Sequence, residues 1–525
     1  SAFRRVGLDV TEHSIDGLNV VDVLISNFDY YTLQFEVNYA FLDMILYSFF
    51  LLAALFYFVF YFIPRGRYTG GQRVFLNFSV FSVTAFLYVL LRYSPPIGVL
   101  WEWVYNRPVP LPLIGRTVYA SLAFALCFPL VKRIQMKRER DAKIIPFCLA
   151  VMAIIIMLAV TNIEYPVLEY LVRAVNSNSA TGFFYQTKHI VDFESLLREY
   201  DQMRPSFTFH ADGSPPGYLY IFYKIRRISA IPNQQLIMGS LFYVVLGGLS
   251  VVPVYYFARR VYNDEVAGYA SIFYALSTSF VNFVPSHDQV NTLLVFIFLY
   301  YAYGGMIRRD VKEAVVAGIL FAVVTLFSFS PLMLIVFILC WPLMRVKKKK
   351  DFTHTISLFI VFCGAFAAVH MIIYMVFGLN MMETFTTLLG MHKVVLSSTR
   401  TYWKWLILQP ILFFIYAGLP TSLLFFKRIL TRLSDVNLNE TTNPFIIMFI
   451  LLVSSGIIGG EVARMWMYLV PFVCMTAAKE VMAIKPKRTV YLIIVLLFMQ
   501  IIMFKVCTTS IYQPYYSVIP VSLIT

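Results

Sequence analysis

Apolar stretches of about 17–25 residues, separated by short polar connections, recur along this 525-residue chain. A run of that length crosses the hydrocarbon of a bilayer as one helix, whereas strands of a membrane barrel are shorter and alternate in polarity. Composition agrees. Hydrophobic residues make up 59% of the chain and charged residues 14%, against about 45–50% and 25% in soluble domains. So few charges cannot clothe a soluble surface. The sequence therefore predicts an all-α polytopic membrane protein. About fourteen transmembrane helices are expected, starting near Ala40, Val74, Gly115, Lys143, Leu236, Glu265, Asp288, Val311, Ser330, His354, Trp403, Pro444, Val462 and Arg488.

The net charge of +15 is explained by where the charges sit. Alternate connections hold Arg65, Arg67 and Arg73, then Lys132 to Lys143, Arg259-Arg260, Arg308-Arg309, Lys347 to Lys350, Lys427-Arg428 and Lys485 to Arg488. That side gathers 26 of the 43 basic residues and 10 of the 28 acids, a net +16; the other side sums to −1. Basic loops stay in the cytoplasm, so both termini and the long polar segment 161–235 are expected outside. The excess is a topology signal and a contact for anionic lipids, and nucleic acid is not needed to explain it. Residues 1–39 are expected to lie as an external amphipathic segment without a cleavable signal. The six cysteines fall in or beside apolar runs, which suits small core hydrophobes rather than disulfides or a zinc site.

Segment 161–235 is longer than any other connection and mixes acids, histidines and aromatics. It opens with Thr161-Asn162-Ile163-Glu164-Tyr165 and reaches His210-Ala211-Asp212-Gly213-Ser214-Pro215-Pro216-Gly217. The stretch from Tyr218 to Arg227 is apolar and aromatic, ends in Lys224, Arg226 and Arg227, and is too short to span. It reads as an interfacial helix started by the Pro-Pro-Gly turn. Asp212-Gly213 reads as a turn.

An acid at the outer end of a helix, a long external loop ending in His…Pro-Pro-Gly and an interfacial helix together resemble the GT-C membrane glycosyltransferases. These are polyprenyl-phosphate-sugar-dependent enzymes that include protein O-mannosyltransferases and aminoarabinose transferases. The likeness is to a prokaryotic branch with a His-x-x-x-His-Pro-Pro-Gly element; His210 matches the first histidine and Ser214 stands in the place of the second. Pro285-Ser286-His287-Asp288 resembles the family's short acidic external turn, and Gly460-Glu461-Val462-Ala463-Arg464 its Gly-Glu-x-x-Arg element. The resemblance covers about residues 145–480. It implies a core module over 143–377 and a C-terminal module over 378–525 with an external loop 378–402; residues 40–142 are an N-terminal addition.

The implied activity is transfer of a sugar from a polyprenyl-phosphate donor to a glycan, lipid or protein acceptor, with inversion, outside a prokaryotic plasma membrane. Such a transfer needs a carboxylate base for the acceptor hydroxyl and cations for the departing phosphate. Glu164 is the expected base and Asp288 the second catalytic carboxylate. His210, His287, Glu461, Arg464 and Lys393 are expected to bind substrate, with His392 and Arg400 beside Lys393. Each has a plain structural alternative. Asp288 suits a helix start on electrostatic grounds alone, and Glu461 and Arg464 stand three residues apart and can pair. No cofactor is required by the sequence; a divalent metal, Mg or Mn, is left open. No phosphate-loop motif is present, so a nucleotide energy source is not expected. The rival class is a non-enzymatic protein, either a transporter or a GT-C-shaped scaffold without catalysis.

The charge count makes a direct prediction. A cysteine introduced at Lys349 should resist an impermeant thiol reagent applied to intact cells, and one at His210 should react. Labelling at 349 from outside would invert the topology and remove the external site.

Overall fold

The computed structural model describes residues 120–136, 141–161, 167–177, 181–229, 231–346, 348–399, 402–431, 441–456, 461–483 and 489–509, with the pairs 14–15, 18–19 and 105–106. Ser14–Ile15 pairs antiparallel with Leu18–Asn19, and Tyr105–Asn106 with Thr508–Thr509. Those pairs belong to one unit, residues 1–110 with 507–509. The second unit, residues 111–506 with 510–525, carries the elements described next. The helices expected near Ala40 and Val74 lie outside the described residues.

The second unit is helical throughout its described residues. Three of its helices are long and apolar enough to cross a membrane: Lys143–Thr161, Pro232–Val261 and Lys349–Phe377. Trp405–Tyr416 with Leu419–Leu430 forms a fourth candidate bent by 114°. Shorter apolar helices run over Ser330–Leu343, Thr442–Ser455 and Val490–Ile502. These support a polytopic protein while leaving the number fourteen an expectation. The elements that build the site are α1 (Asp141–Thr161), α2 (Val167–Asn176), α3 (Gly217–Ile228), α4 (Pro232–Leu249), α5 (Val251–Val261), α6 (Asp264–Ala275), α7 (Thr278–Asn282), α8 (His287–Met306), α9 (Val311–Phe327), α10 (Lys349–Phe377), α11 (Met381–Thr399), α12 (Val462–Met465) and α13 (Val470–Ala483).

Local chemistry explains where many of these begin. Asn263, Ser277, Ser286 and Asp310 have non-helical backbones, and their side chains accept a hydrogen bond from the first turn of α6, α7, α8 and α9 respectively. Each satisfies a helix-start N–H that has no partner within the helix. Helix α8 is the hub, packing on α4, α5, α9 and the 3-10 turn Met467–Leu469; α9 packs in turn on α10, and α6 on α13. Helix α10 leaves Ile360, Met371, Ile372, Met375 and Val376 exposed, as suits a helix whose surroundings are hydrocarbon.

One expected loop is a helix. Residues 381–399 form α11 because Gly378, at φ 73°, ends α10 in the left-handed conformation. The side chain of Asn380 then accepts from Met382 N (3.2 Å) and Glu383 N (3.3 Å), starting a new helix. Another expected single span is broken: the stretch from Val462 is a four-residue turn, α12, then the 3-10 turn, then α13.

The long polar segment 161–235 has a core of its own. Phe183, Phe184, Phe193, Tyr200, Tyr218 and Phe222 are buried together and reach Tyr243 of α4 and Val290 of α8. The expected interfacial helix is α3, over Gly217–Ile228, and Lys224 and Arg227 lie over the rings of Tyr220 and Tyr223. Its first residue explains the Pro-Pro-Gly motif. A Cβ on Gly217 would stand 2.5 Å from the carbonyl oxygen of Leu326 in α9, so the turn docks backbone against backbone. Gly217→Ala should therefore cost about 1–3 kcal/mol through overpacking, read as a lowered thermal midpoint in detergent. Gly364→Ala, where a Cβ would meet nothing within 4 Å, should show no such loss.

Candidate functional site

The site is built outward from the first turn of α8. Ser286 precedes the helix; its hydroxyl oxygen accepts from Asp288 N at 3.1 Å and its O–H donates to Asp288 Oδ2 at 2.8 Å. The Asp288 carboxylate is thus fixed at a helix start, where the helix dipole favours negative charge. Its second partner comes from the far end of the sequence: Arg464 Nε lies 3.1 Å from Asp288 Oδ2, and both side chains are 7% exposed. Arg464 Nη2 in turn donates to Glu461 Oε2 at 2.8 Å.

His287 lies beside this pair. Its Nε2 is 3.6 Å from Asp288 Oδ1, within ion-pair range and too long for a hydrogen bond. The ring meets Phe183 edge-on at 5.2 Å and Tyr218 at 5.4 Å. Its Nδ1 is buried without a hydrogen-bond partner among the described residues. The His287 carbonyl accepts from the Tyr218 hydroxyl at 2.8 Å, and the amide of Asn291, one turn on, lies 2.7 Å from the same hydroxyl. A phenol has one proton, so with that proton on the carbonyl the Asn291 amide is best turned to donate its NH₂. His210 completes the group, its ring centroid 6.5 Å from that of His287.

The turn that presents Arg464 is clamped from two sides. Ser279 of α7 donates to the Ala463 carbonyl, and Ser330 interacts with Met465 O while its own carbonyl accepts from Tyr468. Glu461, at the start of α12, has φ 53° and ψ 15°. A non-glycine residue in this left-handed region carries a backbone cost of about 1–3 kcal/mol, which the surroundings must support. The four-residue helix Phe209–Asp212 that presents His210 is anchored by Arg204, 1% exposed. Its Nη1 donates to Asp212 O at 3.0 Å and lies 3.6 Å from the Asp212 carboxylate, while Nε lies 3.7 Å from Asp201. Burial raises the carboxyls of both Asp201 and Asp212, with Arg204 opposing the shift. Asp212 therefore holds its own loop, in keeping with the turn read from its sequence. Helix α11 is tied to the same anchor, since Thr384 donates to Asp201 Oδ2 at 3.0 Å and Met391 Sδ lies 3.1 Å from Arg204 Nη1.

Of the residues singled out by sequence, Asp288, His287, Glu461 and Arg464 gather in one cluster, with His210 beside it. Glu164 lies outside the described residues, three positions past the end of α1, whose Met157 meets Gln289 in the first turn of α8. Lys393 lies on α11, and its side chain, like those of His392 and Arg400, is outside the described residues. Among the described residues no group of three His, Cys, Asp or Glu side chains is placed to hold a metal ion. Sequence reasoning passed over Ser286, Tyr218, Asn291 and Arg204. The serine had a signal, a cap residue directly before His-Asp; the buried arginine had none.

Residues 214–374, about a third of the chain, match the family model described as dolichyl-phosphate-mannose-protein mannosyltransferase. The matched stretch begins at the Pro-Pro-Gly turn, contains α3 to α9 and ends near the close of α10; it includes His287 and Asp288 and stops short of Glu461 and Arg464. No individual curated protein matches the chain.

The contact between Asp288 and Arg464 joins the matched stretch to the C-terminal part, and it is measurable. Asp288→Asn and Arg464→Gln should each destabilise the protein, and the double variant should lose less than their sum. The coupling expected for contacting charged residues is about 0.5–3 kcal/mol. Additive losses in thermal or denaturant unfolding would mean that the two side chains do not interact.

Proposed function

We propose that the protein is a membrane glycosyltransferase that moves a sugar from a polyprenyl-phosphate donor to an acceptor hydroxyl outside a prokaryotic plasma membrane. The observation that carries this reading is the cluster of Asp288, His287, Glu461 and Arg464, set under the aromatic core of the external segment. The family match over residues 214–374 supports the same class of chemistry. A lipid-linked donor must place its phosphate near the membrane surface and its sugar in water. A cluster at helix starts beneath a packed external segment suits that need.

In the proposed reaction the acceptor oxygen attacks the anomeric carbon, the bond from that carbon to the phosphate oxygen breaks, and the configuration inverts. The acceptor proton passes to a carboxylate, and the electron pair leaves on the phosphate. Arg464 is assigned to the phosphate, because a guanidinium stays charged and presents several donors in a plane. Asp288 is engaged by Arg464 and Ser286, which lowers its use as a proton acceptor; we assign it to holding Arg464 and facing His287. The base is then Glu164, three positions past the end of α1 in the sequence. His210 and His287 are assigned to the sugar or phosphate oxygens. Lys393 is kept as a second cation for the phosphate. A divalent metal stays an open addition. Residues 40–142 are assigned no part in this chemistry.

A purified protein in nanodiscs, offered polyprenyl-phosphate sugars and acceptor hydroxyls, tests the reading. Glu164→Gln keeps the shape and removes the proton acceptor, so turnover should fall by about 10²–10⁴ while polyprenyl monophosphate still binds. Full activity in the folded variant would return Glu164 to a structural role. Absence of both sugar transfer and polyprenyl-phosphate binding in the wild-type protein would favour the non-enzymatic alternative, a transporter or inactive scaffold.

A further inference from the structure

We infer that the C-terminal half of α3 is a binding site for the headgroup of an anionic membrane phospholipid, built from Lys188, Lys224, Arg226 and Arg227. The sugar transfer proposed above does not require it.

Position along the chain is the first observation. Helix α3 ends at Ile228, and the apolar span Pro232–Val261 begins four residues on. The last turn of α3 is thus tethered close to the level at which a span enters hydrocarbon, where the lipid phosphates lie. Its uncovered side is one stripe: Tyr220, Lys224, Arg227 and Ile228 are all exposed at the three- and four-residue spacing of a single helix face. Val191, Ile228 and Ile231 are 86%, 67% and 53% exposed. Uncovered apolar side chains mixed with cations, next to a span, suit the boundary between headgroups and acyl chains.

The arrangement of the cations is the second. Arg226 donates to the Thr187 carbonyl, and Arg227 Nη2 donates to Val191 O at 3.1 Å. The two arginines thereby hold the stretch 187–191 against α3, each through one of the five N–H groups of its guanidinium. Lys188, within that stretch, donates to Asn176 Oδ1 at 2.9 Å. Lys188, Lys224 and Arg227 lie over the rings of Tyr185, Tyr220 and Tyr223, at 4.9, 5.2 and 4.5 Å from the ring centres. A tyrosine face steadies a cation without neutralising it.

None of the four cations forms an ion pair with a carboxylate among the described residues. Asp192 is near enough to feel Arg227, but its carboxylate already accepts from Ser195 N at 2.8 Å. Burial, and after it the charge of Arg226, hold the Lys188 ammonium below the ordinary lysine range. Like charges crowded in this way gain from an anion beside them. A phospholipid supplies the phosphate oxygens for the cations and acyl chains to cover Val191, Ile228 and Ile231. A free phosphate would serve the cations and leave those apolar side chains in water.

The test uses the full chain in nanodiscs with Ile228→Trp as a reporter. Brominated phosphatidylglycerol or brominated phosphatidylcholine is diluted into plain phosphatidylcholine. The emission added by Ile228→Trp should be half-quenched at a fraction of the brominated glycerol lipid about tenfold lower than of the choline lipid, the scale set by two interfacial cations. The double variant Lys224→Gln, Arg227→Gln should bring the two fractions together, and Lys188→Gln should narrow the difference. Lys188→Gln leaves both arginines in place, so it decides the matter if the thermal midpoint shows that the double variant does not fold. Excess inorganic phosphate should change nothing. Equal quenching by the two lipids, or a preference that survives in the folded charge variants, overturns the site. A reporter quenched by neither lipid removes α3 from the membrane surface and the site with it. A preference abolished by inorganic phosphate makes the cluster a free-anion site and overturns the lipid assignment.

Discussion

The ion pair between Arg464 and Asp288 is the constraint on which the rest of the site depends. It joins a turn near the C-terminal end to the first turn of α8, the helix on which α4, α5 and α9 pack. Burying two charges beside a membrane costs several kcal/mol per ion before their attraction is counted, and a well-packed apolar pair is often as stable. Stability alone therefore does not account for this choice of residues. A charged pair does what an apolar pair cannot: it sets one guanidinium at one orientation, with Ser286 fixing the carboxylate beneath and Ser279 and Ser330 fixing the turn that carries it.

The features of the fold that the chain announced are those governed by local rules. Apolar length marked the spans over 143–161, 232–261 and 349–377, and aromatic content with terminal cations marked α3 as a short amphipathic helix. Helix starts near Glu265, Asp288 and Val311 were legible from the apolar runs alone, and the caps Asn263, Ser286 and Asp310 set the exact first residues. Helix α11 was missed although Gly378 and Asn380 spelled out a stop and a start. Its polar composition outweighed two residues of cap chemistry. The break before α13 had a local signal in Pro471, which suits a first helical turn and cannot continue a preceding helix; the one at Trp466 has none comparable.

For the site, residue type and helix-end position singled out Asp288, His287, Glu461 and Arg464, and the fold brings them together. What sequence could not convey is pairing across long separations. Nothing in the local pattern says that Arg464 reaches Asp288 as well as Glu461, or that Arg204, an unremarkable cation before a proline, becomes one of the most buried side chains in segment 161–235. The left-handed backbone at Glu461 is equally silent, because the residue type argues against it.

The roof and the cluster are best understood as one device. Tyr218 belongs to the aromatic core of segment 161–235, yet its hydroxyl is spent on the His287 carbonyl and the Asn291 amide, both in α8. Gly217 beside it brings the α3 backbone against α9. The same two residues that follow the Pro-Pro turn therefore seat this aromatic core over the start of α8. An aromatic ceiling lowers the local dielectric, which strengthens every charge interaction beneath it and makes an unpaired charge expensive. In that setting the guanidinium of Arg464 must keep the company of acids, and Asp288 and Glu461 supply it from two different parts of the chain.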